Sequence, residues 1–81
     1  MKVDVLFFAA ARERAGTART TVQLRDGATV ADLWRRLGDD LAALAPVLPS
    51  CRAAVDEEFA PTTRKLAAGA VLAVLPPVSG G

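Results

Sequence analysis

At 81 residues, 52% of them hydrophobic, with ten basic against nine acidic side chains for a formal charge of +1, the chain suits one domain around one modest core, burying about 60–65% of its unfolded surface. That balance supplies no electrostatic footprint for nucleic acid or an anionic membrane, and no apolar run approaches the roughly 20 residues of a bilayer span. One cysteine and no secretory leader pattern make the cytoplasm the expected compartment, while the lack of His and Tyr argues against a self-contained hydrolase, oxidoreductase or metalloenzyme.

The first predicted element is a strand in "KVDVLFF", where Val3, Val5 and Phe7 share one face and Asp4, Leu6 and Phe8 the other, so that Phe8 is expected to face outward. "AAARERAG" predicts a short helical turn stopped by Gly16, and "TTVQL" a second strand with Val22 and Leu24 pointing the same way, antiparallel to the first. Asp26-Gly27 reads as a turn. Thr29 with Asp32 three residues later resembles a capping box with Asp in place of Glu or Gln. A main amphipathic helix then starts near Val30, with Val30, Leu33, Trp34, Leu37 and Leu41 on its apolar stripe, Trp34 in the core, and an interruption or cap around Gly38.

"DDLAALAPVLPS" predicts one further helical turn broken by Pro46 and Pro49, followed by a short strand in "CRAAV" and an acidic turn at Asp56, Glu57 and Glu58. The segment 59–66 predicts loop with a brief strand. "AVLAVL" is apolar on both faces, as expected for a strand near the middle of a sheet. The order β-β-α-β-(β)-β, one main helix on a mixed sheet of four to five strands, is an α+β arrangement of the β-grasp, ubiquitin-like kind.

The chain closes on "LPPVSGG". Pro76 and Pro77 lack N–H groups and favour polyproline II, so they end the sheet and extend a flexible tail over 76–81 from a domain over 1–75. At about 3.1 Å per residue the five residues after Pro76 reach roughly 15 Å. Val78 and Ser79 lead to Gly80 and Gly81, which have no Cβ and so pass a narrow channel and leave a terminal carbonyl open to attack. A carboxylate is a poor electrophile until phosphoryl transfer gives it a leaving group.

"VLFFAAARERAG", the helix after "GATVADL", "AAVDEEF" and the final "LPPVSGG" together resemble MoaD, the sulfur-carrier family of molybdopterin synthase small subunits, over the whole chain. The resemblance implies that an ATP-dependent activating enzyme adenylates the Gly81 carboxylate and that a sulfur donor converts it to a thiocarboxylate. The tail then enters a large catalytic subunit, within a heterotetramer, and gives sulfur to a cyclic pterin precursor. No tightly bound cofactor and no metal are implied; ATP belongs to the activating enzyme. Phe8, Phe59 and Leu75 are expected as an apolar docking patch on the outer sheet face, with Arg12 one helical turn after Phe8 as a further contact. Carriers for thiazole synthesis or tRNA thiolation, a ubiquitin-like modifier that joins Gly81 to lysines, and a plain interaction domain remain as alternatives.

Other residues read as structural. Cys51 has no His or helix start beside it to lower its pKa and is expected as an inert small hydrophobe. Asp56, Glu57 and Glu58 have no distant ligand to close a metal shell and are expected as a solvated loop. Lys2 and Lys65 have no activating context.

Overall fold

The computed structural model describes residues 1–77. In chain order the elements are β1 (Lys2–Phe7), α1 (Ala9–Ala15), β2 (Arg19–Gln23), α2 (Val30–Asp40), 3₁₀ turns at Ala42–Leu44 and Leu48–Ser50, β3 (Arg52–Val55), β4 (Glu58–Ala60) and β5 (Val71–Leu75). The strands form one mixed sheet in the order β2-β1-β5-β3-β4. Its centre is the parallel pair β1 and β5, which sets Val5 beside Leu72 and Phe7 beside Val74. All other pairings are antiparallel.

Strand periodicity decides the two faces. Val3, Val5, Phe7, Val22, Ala53, Val55, Leu72 and Val74 are all buried on the inner face. They pack into one core with Val30, Leu33 and Leu37 of α2, Ala11 of α1, Leu44 and Leu48 of the 3₁₀ turns, and Leu66. No polar or charged residue is buried with them among the described residues. The apolar face of α2 is therefore matched to the inner sheet face without any buried polar group to satisfy.

The start of α2 is the most fully accounted helix end. Thr29 Oγ1 accepts from the Asp32 N–H at 3.3 Å, and the Asp32 carboxylate accepts from the Thr29 N–H at 2.9 Å, so the reciprocal box forms with Asp as its acidic member. The next free donors go to a distant loop, where Val30 N–H reaches the Arg64 carbonyl and Ala31 N–H the Thr62 carbonyl. At the end of α1, Gly16 takes the left-handed conformation, φ 75°, and its N–H caps the Arg12 carbonyl.

Three expectations require correction. Gly38 does not interrupt α2, which continues to Asp40 with Leu41 N–H bonded to the Leu37 carbonyl; an interior glycine costs only about 1 kcal/mol, and burial of Leu37 holds the turn. Trp34 is half-buried at the margin of the core, not inside it, because it projects toward the sheet edge, where β4 is too short to cover so large a side chain. The segment after α2 makes two 3₁₀ turns in place of one helical turn, and Pro49 sits within the second, near its start, where no N–H is needed.

The cap makes stability pH-dependent. Hydrogen bonding from the Thr29 backbone holds the Asp32 carboxyl below its ordinary value of 3.8, with its hydroxyl and nearby Arg25 and Arg35 adding to the effect against some desolvation. A carboxyl lowered on folding stabilises the fold above pH 3.8 and loses that contribution as pH falls through the lowered value. Thr29→Ala should destabilise by about 1 kcal/mol in denaturant titration at pH 7. Asp32→Asn should flatten the acid limb of stability against pH below about 4; an unchanged acid limb would refute the assignment.

Candidate functional site

The outer sheet face carries the side chains opposite to the core. Register places Arg19, Leu6, Ala73, Ala54 and Phe59 in one row across all five strands. The two alanines at its centre are small, and the larger neighbours Leu6, Phe8 and Val71 rise around them to leave a depression of about 460 Å³. Phe8 closes the end at which β1 and β5 finish, and the Asp56-Glu57 turn closes the other. Phe8 is 46% exposed, Phe59 61% and Val71 36%, the large apolar side chains most open to solvent among the described residues. Exposed apolar side chains that share one face mark an interaction surface more strongly than scattered ones do.

The predicted docking residues are only partly brought together. Phe8 does face outward. It follows Phe7, the partner of Val74, so it stands at the same end of the sheet as the half-buried Leu75. Leu75 is paired with Arg52, whose guanidinium carbon lies 3.9 Å from the centroid of the Phe59 ring. Phe59 therefore meets Leu75 across an arginine, and it lines a different depression from Phe8, at the edge of the sheet beside Trp34. Arg12 is exposed on α1 and faces a groove formed with Glu13, Gly16 and Thr17, away from the Phe8 depression. Arg52 and Val71 are members of the outer face that sequence reasoning did not single out, whereas strand alternation places Leu6 on it but not as a contact. The alternation that buries Val3, Val5 and Phe7 already contained the signal for Leu6.

β5 ends at Leu75, with Pro76 half-buried and Pro77 exposed beyond it. The roles expected for Val78, Ser79, Gly80 and Gly81 lie outside the described residues. The β1 to β5 pairing nevertheless brings Leu75, the last residue of β5, to the end of the sheet occupied by Phe8.

Cys51 is partly buried, its thiol donates to the Val47 carbonyl at 3.2 Å, and burial pushes its pKa above the ordinary value of 9.0. That is the setting of a resting thiol, not of a nucleophile. Asp56 and Glu57 form the two-residue loop of the β3 to β4 hairpin, and Glu58 already belongs to β4. The Asp56 carboxylate accepts from the Val71 N–H at 3.0 Å while its own N–H donates to the Val71 carbonyl. Asp56 thus pins the start of the central strand. Both loop residues have positive φ, 48° and 73°, as does Ala9 at 49°. A type I′ turn demands this of its two central residues, yet neither is Asn or Gly.

The sequence model of the ThiS family matches residues 5–81. The chain belongs to the ThiS family. A molybdopterin synthase sulfur carrier subunit from Chlamydomonas reinhardtii is 37% identical to this ThiS-family chain over the full length of both proteins. Among solved structures, small archaeal modifier protein 1 from Haloferax volcanii matches with a TM-score of 0.90 and 30% identity over all of both chains. A molybdopterin-converting factor complex of subunits 1 and 2 from Helicobacter pylori shares the fold, with a TM-score of 0.71 at 24% identity and all of both chains covered. The β-grasp, ubiquitin-like class read from the sequence is therefore the fold of this ThiS-family protein.

The hairpin generates a stability test. A left-handed residue other than glycine costs about 1–2 kcal/mol, and glycine returns part of that gain as backbone entropy. Glu57→Gly should therefore raise stability by roughly 0.5–1 kcal/mol. Asp56→Gly should lower it, because the carboxylate bond to Val71 is lost. Thermal unfolding of the pair checks this, and two changes of the same sign would refute the separation of backbone strain from side-chain bonding.

Proposed function

We propose that this ThiS-family chain is the sulfur-carrier subunit of a molybdopterin synthase, and that the Gly81 carboxylate is the group it contributes. The observation that carries the reading is the 37% identity to a molybdopterin synthase sulfur carrier over the whole of both chains. The "LPPVSGG" ending supports it chemically.

In this reading the carboxylate attacks the α-phosphorus of ATP on an activating enzyme, pyrophosphate leaves, and the acyl adenylate becomes electrophilic. Sulfide-level sulfur released by a donor then adds at the carbonyl as HS⁻, AMP leaves as the acyl–phosphate bond breaks, and loss of the S–H proton gives a thiocarboxylate. The small residues Gly80 and Gly81 allow that approach without a flanking side chain. The charged carrier docks on a large catalytic subunit, which provides the pterin pocket, and donates sulfur to cyclic pyranopterin monophosphate. The chain is thus one half of an enzyme in the cytoplasm, in a heterotetramer with its large subunit, and it has no self-contained active site. The raised Cys51 pKa supports a carrier that does not use its own thiol. The outer sheet face with Phe8 and Leu75 is the docking surface, Arg12 adds a separate contact from its own groove on α1, and Pro76, Pro77, Val78 and Ser79 carry the reactive end into the partner.

A second reading has a specific observation behind it, the 30% identity to small archaeal modifier protein 1. Here the same activated Gly81 would be joined to lysine amines of other proteins. Isopeptide-linked conjugates containing the chain would favour this reading, and a thiocarboxylate that yields molybdopterin in a reconstituted synthase would favour the first.

Deleting Gly81 should change stability by no more than about 0.5 kcal/mol, because the residue contributes no side chain. It should abolish sulfur transfer, since the reacting end retreats by roughly 3.3 Å, far beyond near-attack tolerance. Adding one residue after Gly81 should do the same by placing its carbonyl in an amide. Product from either variant would remove Gly81 as the carrier site. Phe8→Ala and Leu75→Ala should weaken large-subunit affinity by about 1–3 kcal/mol in calorimetry; a loss of stability with unchanged affinity would assign them to packing instead.

A further inference from the structure

A second concave surface lies away from the Phe8 depression, at the open edge of the sheet between β4 and α2. It encloses about 440 Å³ and is lined by Trp34, Cys51, Arg52, Phe59, Pro61 and Thr62, with alanines completing the floor. Its volume lies within the range of ordinary binding clefts. Trp34 is half-buried here and forms one wall of a neighbouring depression as well, against Leu48 and Pro49. Trp, Phe and Arg are the residue types that concentrate binding energy in interfaces.

The charge on this groove is specific. Arg52 is the one charged side chain among the described residues that lines it. Its guanidinium is stacked on the Phe59 ring, 3.9 Å from the centroid, which fixes its direction, and stacking through the ring face leaves the N–H groups pointing outward in the guanidinium plane. The ion pairs among the described residues engage the Met1 ammonium, Arg19, Arg25, Arg35 and Arg36, not Arg52. Glu58, the nearest acid in sequence on β4, is paired opposite Val55 and belongs to the other face of the strand from Phe59. On the α2 side, Arg35 and Asp39 face the neighbouring depression.

From this arrangement we infer that the Trp34–Phe59 groove binds an acidic protein segment, with an aliphatic side chain seated between the two aromatic rings and a carboxylate on Arg52. A nucleic acid backbone is poorly matched, because it needs several cations and this groove has one. The site does not depend on the chemistry of Gly81, and it is separate from the outer-face depression that holds Phe8.

The chain has a single Trp and no Tyr, so one indole signal reports Trp34, and the Phe59 and Thr62 amides distinguish this groove from the neighbouring depression at Gly38 and Leu48. The test is a titration of the full isotope-labelled chain with acetyl-Glu-Leu-Asp-amide, its neutral analogue acetyl-Gln-Leu-Asn-amide, and acetyl-Lys-Leu-Lys-amide, followed by amide and indole Nε1–H shifts. The acidic peptide should give a saturable shift centred on the Trp34 indole, Phe59 and Thr62, and bind about three- to fivefold more tightly than the neutral one, as one partly exposed ion pair allows. Arg52→Gln should reduce the acidic peptide to the neutral level, and Arg52→Glu should transfer the preference to the lysine peptide. Arg52 is exposed, so both variants should remain folded, which the unperturbed core amides will confirm. Equal affinity for the three peptides, shifts centred on Leu6, Val71 and Ala73, insensitivity to Arg52, or no saturable change at millimolar peptide would each overturn the proposal.

Discussion

The parallel pairing of β1 with β5 is the constraint on which the rest of the molecule depends. It joins Asp4–Phe7 to Val71–Val74, residues from opposite ends of the sequence, in the middle of the sheet. Because these two strands have covered neighbours on both sides, their inner residues Val3, Val5, Phe7, Leu72 and Val74 are almost completely buried, and α2 has a continuous apolar floor to lie on. The same pairing sets Phe8 and Leu75 at one end of the sheet. The exposed outer face around Phe8 and the point where β5 ends are thus consequences of one register, and a slip of one residue would turn both faces inside out.

Around that centre the backbone is tied together by long-range hydrogen bonds in the loops as well as by the ladder. The loop before β5 returns to the start of α2, giving it carbonyls from Thr62 and Arg64 and receiving one from Ala28 at the Leu66 N–H. A loop of this kind is ordered by the helix end it satisfies. It also forms part of the edge groove through Pro61 and Thr62. Helix capping and surface shape are therefore coupled here.

Most of the architecture was legible because period and burial agree. Alternation in "KVDVLFF" separated core from surface residue by residue. The i, i+3, i+4 stripe placed Leu33 and Leu37 correctly, and Thr29 with Asp32 marked the helix start within one residue. Trp34 and Gly38 were not legible, since both depend on tertiary neighbours: Trp34 on how far the short β4 extends, Gly38 on packing that outweighs a weak intrinsic preference. The hairpin at Asp56-Glu57 was seen as a turn but not as a left-handed one, because its residues lack the usual Asn-Gly signal. For the outer face, exposure of Phe8 could be read from strand phase, whereas the separation of Phe59 from it by Arg52 required the register of three strands. The tail chemistry came from resemblance, and family membership supports the resemblance without reaching the individual atoms.

The position of β5 in the sheet has a consequence for synthesis. It follows every other element in chain order, yet both β1 and β3 need it as a partner. Without Val71–Leu75, β1 with β2 and β3 with β4 are separate paired fragments, each with an open strand edge and an uncovered apolar face. Such edges are templates for pairing with other chains. Polypeptides truncated before residue 71 should therefore be prone to aggregation and subject to proteolytic clearance, because they lack the strand that both halves of the sheet share.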